Sequence, residues 1–166
     1  DPGYHEFICG KDGVVRHWLR FGARGWRLDV ADELPEDFIR DISSAARAER
    51  ADAAVIGEVW EDASNKVAYG EPRHYLLGGE LDSAMNYPFR GAVLDFLLNK
   101  VDAYEMAARF EQLYENYPHD AFYSALNLLG SHDRSRILTL LGGAPDPDTM
   151  DDSQRAAYRL SRDQMG

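Results

Sequence analysis

Three short apolar runs, residues 25–30, 53–60 and 124–131, each close on ionisable residues, and segments spaced as helices lie between them. A weaker fourth run lies at 81–87. This alternation constrains the fold more than any other feature. Strands separated by helix-length segments are joined by right-handed crossovers and lie parallel, which is the α/β class. Such a sheet is either open and doubly wound or part of a (β/α)8 barrel. The glycines at 22 and 25, 78 and 79, and 142 and 143 do not form G-x-G-x-x-G after a strand, so the fingerprint of a dinucleotide fold is missing. A whole barrel needs roughly 200 residues or more. Four strands in 166 residues fit about half of one.

In chain order, Pro and Gly punctuate residues 1–10, which read as loop. Val14, Val15, Trp18 and Leu19 space a helix that runs from Lys11 to a stop at Gly22. Pro35 opens a second helix, through Phe38, Ile39, Ile42, Ala45 and Ala46 to about Arg50. Residues 61–80 are polar and glycine-rich and read as one long loop, a kind of segment that is usually functional. Pro88 stands in a first helical turn, and helices are expected at 89–99 and 102–116. A short helix at 136–141, an acidic loop at 145–152 and a last helix from Ser153 complete the pattern.

The net charge of −11 disfavours nucleic acid or an anionic membrane surface as partner. No apolar run approaches a membrane span, and no signal-peptide pattern is present. The single cysteine, Cys9, excludes an internal disulfide and reads as a packed thiol. The first residue is Asp rather than Met, so the chain is expected to be a piece of a longer protein.

The charged strand ends carry the chemistry. Arg27 and Asp29 are two positions apart on 25–30 and share one face, with Trp26, Leu28 and Val30 on the other. Ions in a buried strand are costly unless paired or opened onto a solvated site, and a purely structural salt bridge is the plainer account of that pair taken alone. Glu58 ends 53–60 on the same face as Ile56 and Trp60, with Gly57 leaving room beside it. A carboxyl against an apolar ring suits a proton donor; a solvated strand-end acid is the bland alternative. Residues 131–134, Ser-His-Asp-Arg, close the third run, either as a cap with surface charges or as a polar cluster at a barrel mouth. Gathered together, Asp29, Glu58, His132 and Asp133 also permit a divalent-metal site. Two carboxyls about 5–5.5 Å apart, one ionised and one protonated, can instead cleave a glycosidic bond with retention.

These motifs resemble those of the α-amylase family, glycoside hydrolase family 13. Gly25-Trp26-Arg27-Leu28-Asp29 resembles the nucleophile motif on its fourth barrel strand, Gly57-Glu58-Val59-Trp60 the acid/base motif on the fifth, and Ser131-His132-Asp133 the stabiliser motif on the seventh. Val30-Ala31-Asp32-Glu33, Leu129-Gly130-Ser131-His132-Asp133 and the 81–88 segment are similar to the neopullulanase and cyclomaltodextrinase branch. The resemblance implies a partial TIM barrel, roughly the fourth to seventh βα units, forming one domain over 1–166. The first three strands, the eighth strand and the accessory β-domains would then lie outside it.

It further implies catalytic roles for Asp29 (nucleophile), Glu58 (acid/base) and Asp133 (transition-state stabiliser). Arg27 orients the nucleophile, and His132, Glu33 and Trp60 contact substrate. It implies a starch-like α-glucan, cyclodextrin or maltooligosaccharide as substrate and no cofactor or catalytic metal in this segment, with any family calcium site largely elsewhere. A cytoplasmic location is favoured for the branch. Asp32 stands where the branch often has Asn, and Glu61 where it often has His, and both departures bear on subsite preference. The isolated chain is expected to be inactive, and to self-associate through exposed barrel edges. A metal-dependent barrel hydrolase and a catalytically silent binding relative are the rival readings. Tyr69, Tyr75 and Tyr87 are candidate sugar platforms, Trp18 a candidate core residue, and Arg136 a candidate partner of Asp133 or Asp29.

Overall fold

A computed structural model describes residues 1–142 and 150–163. The acidic loop expected at 145–152 lies mostly outside them. Four parallel strands form the central sheet in the order β1 (Gly25–Leu28), β2 (Ala54–Gly57), β5 (Ser83–Asn86), β6 (Leu126–Asn127). Arg27 pairs with Ile56 and Leu28 with Gly57 across β1 and β2. Strand order follows chain order, so successive crossovers place all four carboxyl ends on one side.

Helices α1 (Pro2–Cys9), α2 (Val14–Arg20) and α3 (Glu36–Glu49) lie towards the β1 side, and α4 (Tyr87–Leu97), α5 (Ala103–Asn116) and α6 (His119–Tyr123) towards the β5 and β6 side. The five-residue helix α7 (Ile137–Leu141) and the longer α8 (Asp152–Asp163) follow. The expected helix from Pro35 is α3, with Pro35 as its N-cap and Ile39, Ile42, Ala45 and Ala46 buried at helical spacing. Its polar stripe includes Arg47, which binds the Asp82 carboxylate at 2.7 Å while Asp82 accepts the Val55 amide at 2.7 Å. Helix α3 is thereby tied to the entry of β5 and to the middle of β2. A Cβ at Gly57 would lie 2.4 Å from Leu81 Cδ1, so any larger residue there forces the buried Leu81 side chain to shift. The close approach seats the end of β2 directly under the loop that leads into β5.

Several expectations are corrected. Residues 1–10 are not loop: Asp1 caps α1 by accepting the Tyr4 amide at 2.9 Å, and Pro2 occupies the first turn, where a missing N–H costs nothing. Trp18 is 54% exposed, because Val15 and Leu19 supply the buried face of α2. The β5 run, weak by composition, is buried at every residue. The run expected at 124–131 shrinks to a two-residue strand preceded by α6. The long loop contains a hairpin, β3 (Val67–Ala68) paired with β4 (Glu71–Pro72). Cys9 is buried, as a packed thiol should be, and burial pushes its pKa up. Among the described residues no helix is long and apolar enough to cross a membrane.

Candidate active site

The carboxyl ends of β1, β2 and β6 meet at one cleft of about 310 Å³. Asp29, Asp32, Glu33, Glu58, Trp60, Glu61, Lys66, His132 and Asp133 line it, together with Val30. The three sequence-predicted carboxylates therefore share a crevice, and Glu33, Trp60 and His132 share it with them. Among the described residues no group of His, Cys, Asp and Glu side chains is disposed to hold a metal ion.

Arg27 organises the floor. Its Nη1 donates to Asp29, its Nη2 lies 3.1 Å from Glu58 Oε1, and its Nε donates to Met85 Sδ at 3.3 Å. One guanidinium thus reaches the residues that immediately follow β1 and β2 and one residue of β5, which is the fork geometry arginine provides and lysine does not. The Nη2 contact is an ion pair without hydrogen-bond alignment. The partner of Asp29 is therefore its near neighbour Arg27 rather than Arg136, which stands at the N-cap position of α7.

The two paired acids sit in different settings. Asp29 is 70% exposed in its side chain and Glu58 4%. Glu58 is not walled by an apolar ring. Trp60 turns its indole N–H towards it and donates to Oε1 at 3.0 Å, while the Val30 amide donates to Oε2 at 2.8 Å. A buried carboxyl with that many donors is satisfied rather than stranded. Val30 makes its contact from a left-handed conformation, φ 42°, a region that β-branched residues rarely enter. The turn after β1 therefore holds backbone strain at the residue that touches Glu58, a feature no sequence pattern announces.

Asp133 pairs with His132 Nε2 at 3.1 Å, and its amide donates to Ser131 Oγ at 3.2 Å. Ser131 Oγ is 3.1 Å from the Tyr87 hydroxyl, and the Tyr87 ring lies 5.4 Å from Trp60. The Arg134 guanidinium covers the Trp60 ring at 5.0 Å. These contacts dock the loop after β6 onto the end of β2. Tyr87, a candidate platform, is buried in this joint, and Tyr75 is fully buried in the core, so neither presents a free face.

Lys66 is the cleft residue that sequence reasoning did not single out. It pairs with Asp32 Oδ2 at 2.9 Å and with Glu61, so the two positions that depart from the branch pattern share one ammonium. Burial pulls the Lys66 pKa down, but Glu61 and Asp32 outweigh it and the net shift is upward. Asp32 Oδ1 also accepts the Tyr75 hydroxyl at 2.7 Å, and burial followed by that bond pushes the Tyr75 pKa up. Signals for this network were present only as single residues dispersed between positions 32 and 75.

The model of the α-amylase catalytic domain matches residues 9–158. The chain is 37% identical over 176 residues to an amylopullulanase of Thermoanaerobacterium saccharolyticum, covering 95% of this chain and 13% of the relative. It is 39% identical over 132 residues to a cyclomaltodextrinase of Geobacillus thermopakistaniensis, covering 78% of this chain and 21% of that protein. Among solved structures it is similar to the cyclic α-maltosyl-(1→6)-maltose hydrolase of Arthrobacter globiformis in complex with maltose. The TM-score is 0.76 at 30% identity, over 86% of this chain and 30% of the other. The chain therefore spans well under a third of its curated relatives' length, and its parallel sheet is part of a (β/α)8 barrel. With the match covering nearly the whole chain, this protein belongs to the α-amylase catalytic-domain family, on its neopullulanase and cyclomaltodextrinase branch.

Proposed function

We propose that the protein carrying this chain is a retaining glycoside hydrolase acting on α-glucosidic linkages of starch-like glucans, cyclodextrins or maltooligosaccharides. The observation that carries the reading is the single guanidinium of Arg27 held between Asp29 and Glu58, in a cleft that also contains Asp133. Two carboxyls on one guanidinium are near enough to act on the same glycosidic bond, and retention, with the pair about 5–5.5 Å apart, is the outcome the family resemblance implies.

Asp29, exposed and steered by Arg27, attacks the anomeric carbon as the glycosidic C–O bond breaks. Glu58 gives its proton to the leaving oxygen. A water then attacks the anomeric carbon and displaces Asp29, and Glu58 takes that water's proton. The donors now gathered on Glu58 suit the second step, in which it acts as base. Asp133 and His132 face the sugar hydroxyls, Glu33 and Trp60 flank them, and no cofactor enters the scheme. The test is the anomeric configuration of the first-formed sugar, followed by proton NMR during hydrolysis of maltooligosaccharides by the full-length protein. The α-anomer is expected to form first, and a first-formed β-anomer would overturn the assignment.

We also propose that the isolated chain self-associates. Among the described residues β1 and β6 each pair on one side only, and Phe7, Trp18, Phe21 and Tyr123 lie exposed around the sheet. Sedimentation of the isolated 166-residue chain should show dimers or larger species growing with concentration; a monomer throughout refutes the idea.

A further inference from the structure

The hairpin β3–β4 turns through two residues, Tyr69 at φ 56° and Gly70 at φ 82°. A turn with both central residues left-handed selects Asn or Asp followed by Gly, because a bulky side chain is disfavoured there. Gly70 obeys that rule and Tyr69 breaks it. The ring gains nothing by packing, since Tyr69 is 77% exposed. Its hydroxyl, however, donates to Glu33, one of the residues lining the cleft. A local rule broken without a packing gain marks a functional position.

The hairpin that presents Tyr69 is held firmly. Lys66, immediately before β3, is clamped by Asp32 and Glu61, and the Arg73 amide donates to the Lys66 carbonyl at 2.8 Å. The Arg73 guanidinium donates to the carbonyls of Asp32 at 2.9 Å and Leu34 at 2.6 Å, and to the Tyr75 hydroxyl at 2.9 Å. The tip therefore stands at a fixed place over the turn that follows β1.

We propose that Tyr69 forms an outer sugar-binding position at the rim of the cleft, its ring stacking on a glucose unit of the bound chain and its hydroxyl orienting Glu33 towards that unit's hydroxyls. A flat apolar face beside an acceptor-rich carboxylate matches a pyranose, which offers C–H faces and equatorial hydroxyls. The favoured ligand is a maltooligosaccharide long enough to extend past the cleft. This rests on the hydrolase reading above.

The experiment compares Tyr69→Asn and Tyr69→Phe in the full-length protein on maltohexaose and on a short aryl α-glucoside. Asn suits the turn, so the thermal midpoint of Tyr69→Asn should hold or rise. Its kcat/KM should fall about tenfold on maltohexaose, mostly through KM, and about twofold on the aryl glucoside. Tyr69→Phe keeps the ring and should lose about threefold on maltohexaose. Equal losses on the two substrates, or none on maltohexaose, would overturn the proposal, as would a lowered midpoint for Tyr69→Asn. Should the unmodified protein hydrolyse neither substrate, the hydrolase reading falls and calorimetric titration with maltohexaose still decides Tyr69. A Kd raised about tenfold in Tyr69→Asn supports the position, and an unchanged Kd removes it.

Discussion

Exchanging Asp29 for Asn is expected to lower kcat of the full-length enzyme by about four orders of magnitude while leaving its fold intact. The two effects separate because of where the side chain sits. An amide cannot form the glycosyl ester, so the first chemical step is lost rather than slowed by misplacement. The side chain is 70% exposed, and its ion-pair partner is Arg27, which keeps its contacts with Glu58 and Met85 when the charge is removed. An exposed ion pair of this kind contributes roughly 0–1 kcal/mol. The thermal midpoint of the 166-residue chain, in which that exposure holds, should therefore move by no more than about 2–4 °C. Single-turnover hydrolysis of a maltooligosaccharide by the full-length enzyme and a melting curve of the 166-residue chain make the comparison. Full turnover by Asp29→Asn would remove the assigned nucleophile.

How far residues alone reveal such a site depends on the distance over which its parts are encoded. The alternation of apolar runs with helical spacing marks β1, β2 and β5 because a parallel strand's burial is written in its own few residues. The charges at 29, 58 and 133 stand out because ionic groups at the end of apolar runs are costly without a purpose. Other features are written across the chain instead. Lys66 reads as a solvated loop cation until Asp32 and Glu61, distant in sequence, are placed on either side of it. Tyr75 resembles an exposed loop aromatic, yet it is fully buried because Asp32 and Arg73 together satisfy its hydroxyl in the interior. Helix α1 was obscured for the opposite reason: Pro2, Gly3 and Gly10 look like loop punctuation, although Asp1-Pro2 is a sound helix start.

The environment of Glu58 shows the same division most sharply, and it carries the second large effect. Position in the strand identifies the carboxyl, but the neighbours expected from sequence were apolar, whereas Trp60 and Val30 each turn an N–H towards it. Glu58→Gln should therefore act on both stability and rate. Glutamine offers one carbonyl oxygen, so its NH2 must face either the Trp60 or the Val30 N–H, each of which now meets a carboxylate oxygen, and the neutral amide no longer balances the Arg27 charge. A buried donor left without an acceptor costs about 1–3 kcal/mol, which should lower the thermal midpoint by roughly 2–12 °C. The loss of rate should depend on the leaving group. A glucose hydroxyl needs a proton as it departs, so kcat/KM on maltooligosaccharides should fall about 10²–10⁴-fold, the range of general-acid catalysis. An aryl α-glucoside with an acidic phenol leaves without one, and its first step should be nearly spared, with the loss moved to the later step in which water must be deprotonated. A burst of phenol followed by slow turnover is the expected trace for Glu58→Gln, set against no burst for Asp29→Asn. Equal losses on the two substrate types, with no burst, would deny Glu58 the acid role and leave it as a residue that only positions Arg27 and the turn at Val30.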